Sequence, residues 1–100
     1  MAHLAGGMLP AVRLHAEALR ELVDGSSFHG ERFTRLIENA LALIVEMPRA
    51  WPTWPGRPHI HRRVVTKLPY AIIYSIEQDS IFVIAVAHTR RRPGYWLTRV

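Results

Sequence analysis

The chain has 100 residues, of which 49% are hydrophobic and 21% charged, with no cysteine and a net charge of +5. That length holds one hydrophobic core and not two, the lack of cysteine excludes disulfides and thiolate chemistry, and no apolar run approaches the roughly 20 residues of a membrane-spanning helix. The charge is uneven: residues 1–56 carry five basic and six acidic side chains, whereas residues 57–100 carry eight basic and two acidic ones, which points to an acidic or polyanionic partner for the second half.

The opening MAHLAGGMLP has neither the basic region nor the long apolar stretch of a secretory signal, so the cytoplasm is the default expectation. Residues 1–8 read as a disordered leader to a single domain spanning 1–100, with Met8 an alternative start to Met1. Ala11–His15 alternates weakly, as a short strand does. Between Glu17 and Val23, Leu19, Leu22 and Val23 recur at helical spacing, and Asp24-Gly25 predicts the end of that helix. Ser26 and Ser27 are candidate caps for the next one. In the second helix Phe33, Leu36, Ile37, Ala40, Leu41, Ile44 and Val45 recur at i, i+3, i+4 spacing, opposite Arg32, Arg35, Glu38, Asn39 and Glu46. Pro48 stops it. The short connection predicts an antiparallel helical hairpin with one shared apolar face, on which Ile37, Leu41 and Ile44 point at a sheet.

Met47–Pro58, with four prolines and two tryptophans, predicts an extended crossing loop whose Trp51 and Trp54 cap the core or a sheet edge. Three strands follow: Ile60–Lys67, then Tyr70–Glu77 after a break at Leu68-Pro69, then Ser80–His88 after a Gln78-Asp79 turn. Simple alternation sets Tyr70, Ile72, Tyr74 and Ile76 on one face with Ile81, Val83 and Ala85. Ala71 and Ile73 share the other with Phe82, Ile84 and Val86. Both faces are apolar, so one packs on the helices and the other needs at least partial cover, which a partner protein can supply.

Several chemistries are excluded by what surrounds the reactive side chains. His59 and His61 fall on one face of a strand and His88 ends another, but there is no convincing third ligand, so neither a metal nor a cofactor is expected. No serine lies in a GxSxG elbow, and there is no glycine-rich phosphate loop. Metal-free RNA cleavage needs cations to stabilise a phosphorane and a His or Tyr to move protons. His88, Arg90, Arg91, Arg92 and Tyr95 supply these within eight residues, and Arg62, Arg63 and Lys67 lie on an adjoining strand. The same residues suit purely electrostatic attachment. Residue type leaves both readings open.

Four stretches carry a family resemblance: GERFTRLIENAL in the second helix, PRAWPTWPG in the loop, LPYAIIYSIEQDSIFVIAVAH across the hairpin, and the terminal HTRRRPGYW. Through them, from about Leu9 to Trp96, the chain resembles the RelE/ParE superfamily of bacterial type II toxin–antitoxin toxins, often described as plasmid stabilisation proteins. The resemblance implies an α+β fold in which an N-terminal strand and a two-helix hairpin pack on a small antiparallel sheet. It also implies a hetero-oligomer with a cognate antitoxin that wraps its C-terminal segment around the toxin, away from any membrane. The first helix looks shorter than is usual in the family.

Two activities come with the resemblance. RelE-like members cleave mRNA on the ribosome, and ParE-like members inhibit DNA gyrase. Tyr95 matches the C-terminal tyrosine of the ribonucleases, but Ala71 and Thr89 stand where those enzymes carry arginines, and Arg90, Arg91 or Arg92 substitutes only if the backbone shifts. A lost charge on a phosphorane costs orders of magnitude in rate. The expectation is therefore a ParE-like toxin that inhibits growth by binding a target such as gyrase. The alternative is a ribosome-dependent mRNA endoribonuclease with a rearranged site drawn from His88, Arg90 and Tyr95, and a third reading is a degenerate toxin kept for antitoxin binding. The residues expected to meet the target are Arg62, Arg63, Lys67, His88, Arg90, Arg91, Arg92, Tyr95 and Trp96, although packing is the better reading for Trp96.

Overall fold

A strand, β1 (Ala11–Leu14), is followed by two helices, α1 (Ala16–His29) and α2 (Glu31–Glu46), in the computed structural model, which describes residues 11–100. Then come β2 (Thr53–Trp54), β3 (Arg57–Val65), β4 (Tyr70–Glu77), β5 (Ser80–His88) and a short 3-10 helix over Tyr95–Arg99. The expected leader, residues 1–8, and the alternative start at Met8 lie outside the described residues. The strands form one sheet in the order β1-β5-β4-β3-β2, antiparallel throughout except where β1 joins β5 in parallel. With the helical hairpin packed on one face, the fold is α+β. Among the described residues no helix is long and apolar enough to cross a membrane.

α1 does not stop at Asp24-Gly25. It continues for a full turn to His29, so that Ser26 and Ser27 sit inside it rather than capping α2. Its 14 residues nearly match the 16 of α2 and exceed the stretch read from Glu17 to Val23. Gly25 is buried beneath the ring of Phe33, where an added Cβ would lie 2.3 Å from the nearest ring carbon. The glycine is there for close helix–helix approach, not for helix termination. Reversal happens at Gly30, whose φ of +83° is open to glycine and costly for other residues. Ser26 and Thr34 share a 2.6 Å hydroxyl hydrogen bond across the hairpin.

On α2 the buried stripe is Phe33, Ile37, Ala40 and Ile44, while Leu41, expected to face the sheet squarely, is only half-buried at its margin. With Val65, Ile72, Tyr74, Ile81, Val83 and Val86 from the sheet and Ala18 from α1, this stripe forms the main core. Tyr74 brings a hydroxyl into it, and that hydroxyl donates to the Pro48 carbonyl at 2.6 Å. Burial raises the pKa of this phenol to about 12 against a small opposing pull from Arg63.

The β4–β5 hairpin follows the expected strand limits but not the expected faces. Tyr74 pairs with Val83 and Ile73 with Ala85, which leaves Ile84 as an extra residue on β5. This β-bulge resets the alternation. Ile84 and Ala85 both enter the second cluster, and Val86 turns to the helix side with Val83. The expected positions of Ala85 and Val86 are thus exchanged.

The second face is covered by the chain itself. Trp96, 1% exposed, packs on Ile60, Ile73, Ile84, Ala85 and Ala87, with Trp54 against it edge-to-face at 4.9 Å. No partner is needed to close this cluster. Trp51 packs on the main core, and the expected crossing loop contributes β2, which pairs with the first half of β3. β3 begins three residues earlier than Ile60 and ends at Val65, two short of Lys67, whose φ of +72° already belongs to the turn.

Two measurements check this packing. Ile37→Ala should lose about 2–5 kcal/mol of stability by denaturant titration, with Leu41→Ala losing less. Gly25→Ala gains up to ~1 kcal/mol of helix propensity, yet should still lower the melting temperature, and adding Phe33→Leu should recover part of the loss because the ring is what the new methyl meets.

Candidate functional site

β1 ends at Leu14, opposite Val83, while β5 runs on to His88. The edge of β5 beyond that point has polar backbone groups and no strand to pair with. Two charged side chains take the strand's place. The Glu21 carboxylate accepts the Val86 N–H at 2.9 Å, and the Arg99 guanidinium donates to the Ile84 carbonyl at 3.0 Å. Arg99 also grips Glu21 through two nitrogens, at 3.0 Å to Oε1 and 2.8 Å to Oε2. The side chains of the pair are 11% and 14% exposed.

Tyr95 completes this knot. Its hydroxyl donates to Glu21 Oε2 at 2.6 Å, and the Arg91 guanidinium lies over its ring at 3.6 Å while reaching Glu21 at 3.4 Å. Burial alone would work against the charged carboxylate. The bonds from Arg99, Tyr95 and Val86 together with the Arg99 charge outweigh it, and Glu21 ionises below its ordinary value. Tyr95 moves the other way: burial, its bond to Glu21 and the Glu21 charge hold the phenol protonated well above its usual range, against Arg91 and Arg99. Sequence reading gave Glu21 and Arg99 no role. They are 78 positions apart, and nothing local marks either.

The expected target residues divide. Arg62, His88, Arg91, Arg92, Tyr95 and Trp96 line one small cavity on the second face, of about 60 Å³, together with Trp54, Ala71 and Thr89. That volume is far below the roughly 300–1,000 Å³ of small-molecule sites, so it offers a dimple of cationic groups rather than a cofactor pocket. Trp96 contributes a packed wall and Tyr95 a hydroxyl already engaged. Arg90 is exposed outside the cavity; its backbone N–H donates to His88 Nδ1 at 3.1 Å, which leaves the ring proton of a neutral His88 on Nε2. Lys67 is exposed at the β3–β4 turn, at the same end of the sheet, where the Thr89 N–H donates to the Pro69 carbonyl at 2.8 Å. Arg63 is the outlier: it faces the helix side, its guanidinium 4.2 Å over Trp51, with Nε buried and unbonded.

His61, also on the helix side, stacks on Tyr74 at 5.2 Å and bonds the Trp51 carbonyl through Nδ1 at 2.8 Å, whereas His59 is exposed. Because a carbonyl only accepts, Nδ1 carries the proton. Among the described residues no three His, Asp or Glu side chains are grouped to hold a metal. Ala71 and Thr89 border the cavity beside the arginines.

Residues 12–93 match the model of a family described as the ParE toxin of type II toxin-antitoxin system, parDE. No curated protein matches the chain. The matched span takes in the arginine run and stops before Tyr95, Trp96 and Arg99.

The knot has a pH signature. With a folded pKa below the unfolded value of about 4.3, Glu21 stabilises the fold fully above that pH and loses its contribution as pH falls through the folded value. Tyr95, raised above about 10, contributes below pH ~10 and loses its effect as pH rises further. Glu21→Gln should therefore lower the melting temperature at neutral pH, as loss of one partner of a buried pair does, and the gap from the native chain should narrow as melts are taken into acid.

Proposed function

We propose that this chain, which belongs to the ParE toxin family of type II toxin–antitoxin systems, is a toxin that acts by binding and not by cleaving RNA, with DNA gyrase its target and a cognate antitoxin its neutraliser. One observation carries the reading. The Tyr95 hydroxyl, the proton carrier a ribonuclease would use, is committed to Glu21 at 2.6 Å. A phenol held protonated beside a buried carboxylate is a poor general base at neutral pH. The absence of arginine at Ala71 and Thr89, both at the cavity, supports the same conclusion. What remains at this edge is a set of cations, Arg62, Arg90, Arg91, Arg92 and Lys67, suited to holding an acidic surface or phosphates.

The antitoxin has a different apolar surface to cover from the one the sequence suggested. The second sheet face is closed by Trp96, and the exposed large apolar side chains cluster on the helical hairpin, with Leu19, Val23 and Phe28 on α1, Leu43 on α2 and Met47 just beyond it, apart from Val12, Val64 and Val100 elsewhere. Coexpression with an antitoxin encoded beside it should raise the soluble yield, and a chain that stays monomeric at high concentration and binds no such product would remove this part of the reading.

The target is tested by assaying the purified chain in parallel on gyrase supercoiling and on translating ribosomes. Inhibited supercoiling with intact mRNA is the expected result; ribosome-dependent cleavage overturns the reading. Arg90→Ala with Arg92→Ala should abolish growth inhibition and leave the melting temperature within a few degrees, since neither arginine belongs to the knot. Tyr95→Phe should lose about 1–2 kcal/mol of stability through the orphaned carboxylate contact while the folded fraction stays toxic.

A further inference from the structure

The cationic dimple opens at Trp54, Arg62 and Pro93 into a wider groove of about 420 Å³, walled also by Pro52, Thr53 and Pro55. We infer that this groove holds a short single-stranded stretch of nucleic acid, with a base against Trp54 and the phosphates along Arg62 and Arg92. The inference goes beyond gyrase as a target, because it concerns a polymer that the chain itself grips.

The chemistry of the walls selects the occupant. Three of the six lining residues are prolines, which have no N–H, and the Pro52 carbonyl already accepts the Arg62 backbone N–H at 2.9 Å. The groove offers rings and flat apolar surface, and its hydrogen-bonding side chains are Arg62 and Thr53, with the Trp54 indole. An extended peptide laid there could pair only with the two-residue edge strand β2 and would leave its other buried backbone amides without partners, each at a cost. A nucleobase presents a π-face to Trp54 and keeps its polar edges turned to water. An aromatic platform beside a track of cations is the arrangement by which single strands are held without reading sequence.

The cations are available. Arg62 and Arg92 are exposed and take part in none of the three ion pairs among the described residues, which use Arg13, Arg91 and Arg99. Trp54 is half-buried, backed edge-to-face by Trp96, so one side of the indole is supported and its position is fixed before any ligand arrives. Rigid proline walls add to that preorganisation, which lowers the entropy lost on binding. With no donor array for base edges, the groove should treat different bases alike.

Fluorescence anisotropy of the full chain with labelled deoxythymidine, deoxyadenosine and uridine oligonucleotides at low salt tests the inference. The expected result is similar affinity for the two DNA sequences, weakening as salt rises, and a loss of about tenfold or more in Arg62→Ala and in Trp54→Leu, the order of one base–aromatic contact. Trp54→Phe, which keeps a ring and spares the packing on Trp96, should retain most of the affinity. Whichever of DNA and RNA binds tighter identifies the natural polymer and supports the groove equally. Unchanged affinity in Arg62→Ala and in a folded Trp54→Leu overturns it, as does a polyglutamate peptide that competes as well as the oligonucleotides. A chain that inhibits gyrase yet binds no oligonucleotide overturns the groove and leaves the gyrase reading standing.

Discussion

The free edge of β5 is the constraint around which this molecule is arranged. Backbone groups taken out of water must find partners, and β1 is too short to supply them past Leu14. Glu21 and Arg99 fill the gap, one accepting from Val86 and the other donating to Ile84. Burying two charges is costly, and the cost is offset here because the carboxylate accepts from Val86, Tyr95, Arg91 and Arg99 while the guanidinium also reaches the Ile84 carbonyl. From that choice follow the seat of Tyr95 on Glu21, the stacking of Arg91 over Tyr95, and the anchoring of the terminal 3-10 helix that carries Trp96 onto the second sheet face. Without Glu21 the 3-10 helix that covers the second cluster would lose its side-chain bonds to α1, from both Tyr95 and Arg99.

The two faces of the sheet consequently do different work. The helix side holds the main core and absorbs Arg63 and His61 into packing around Trp51 and Tyr74. The other side is closed thinly, by Trp54, Trp96 and the turn between them and the arginines, and keeps its cations at the surface. Arg62, Lys67, Arg90, Arg91 and Arg92 therefore lie on or beyond the strands toward the Val65–Tyr70–His88 end of the sheet, whereas Arg57 begins β3 at the other end, Arg63 faces the helices and Arg99 is paired internally.

Much of this was legible in the chain. The helical stripe of Phe33, Ile37, Ala40 and Ile44, the limits of the β4–β5 hairpin and the cationic segment after it all follow from periodicity and charge. What escaped has identifiable causes. Gly25 carries the same signal whether it ends a helix or admits a neighbouring ring, and only the position of Phe33 decides. The bulge at Ile84 leaves no mark in an all-apolar strand, where SIFVIAVA reads equally well in either phase, so Ala85 and Val86 were set on the wrong faces. Glu21 looked like one more acid on a solvated helix surface, because its partners come from the far end of the chain. Tyr95 was visible as a chemical candidate; that its hydroxyl is already spoken for was not.

The long reach of the knot also bears on how the molecule forms and lasts. The β4–β5 hairpin closes over a two-residue turn, at little cost in chain entropy, whereas Glu21 meets Val86 and Arg99 across 65 and 78 positions. Contacts of such separation carry a large loop-closure entropy, so the expected order has the helical hairpin and the antiparallel strands bring α1 and β5 together first. Interactions absent from the transition state govern the rate of unfolding more than the rate of folding. Formed in that order, the ion pair at the edge of β5 would act as a latch on the native state, slowing the unfolding of a folded toxin more than it speeds its making.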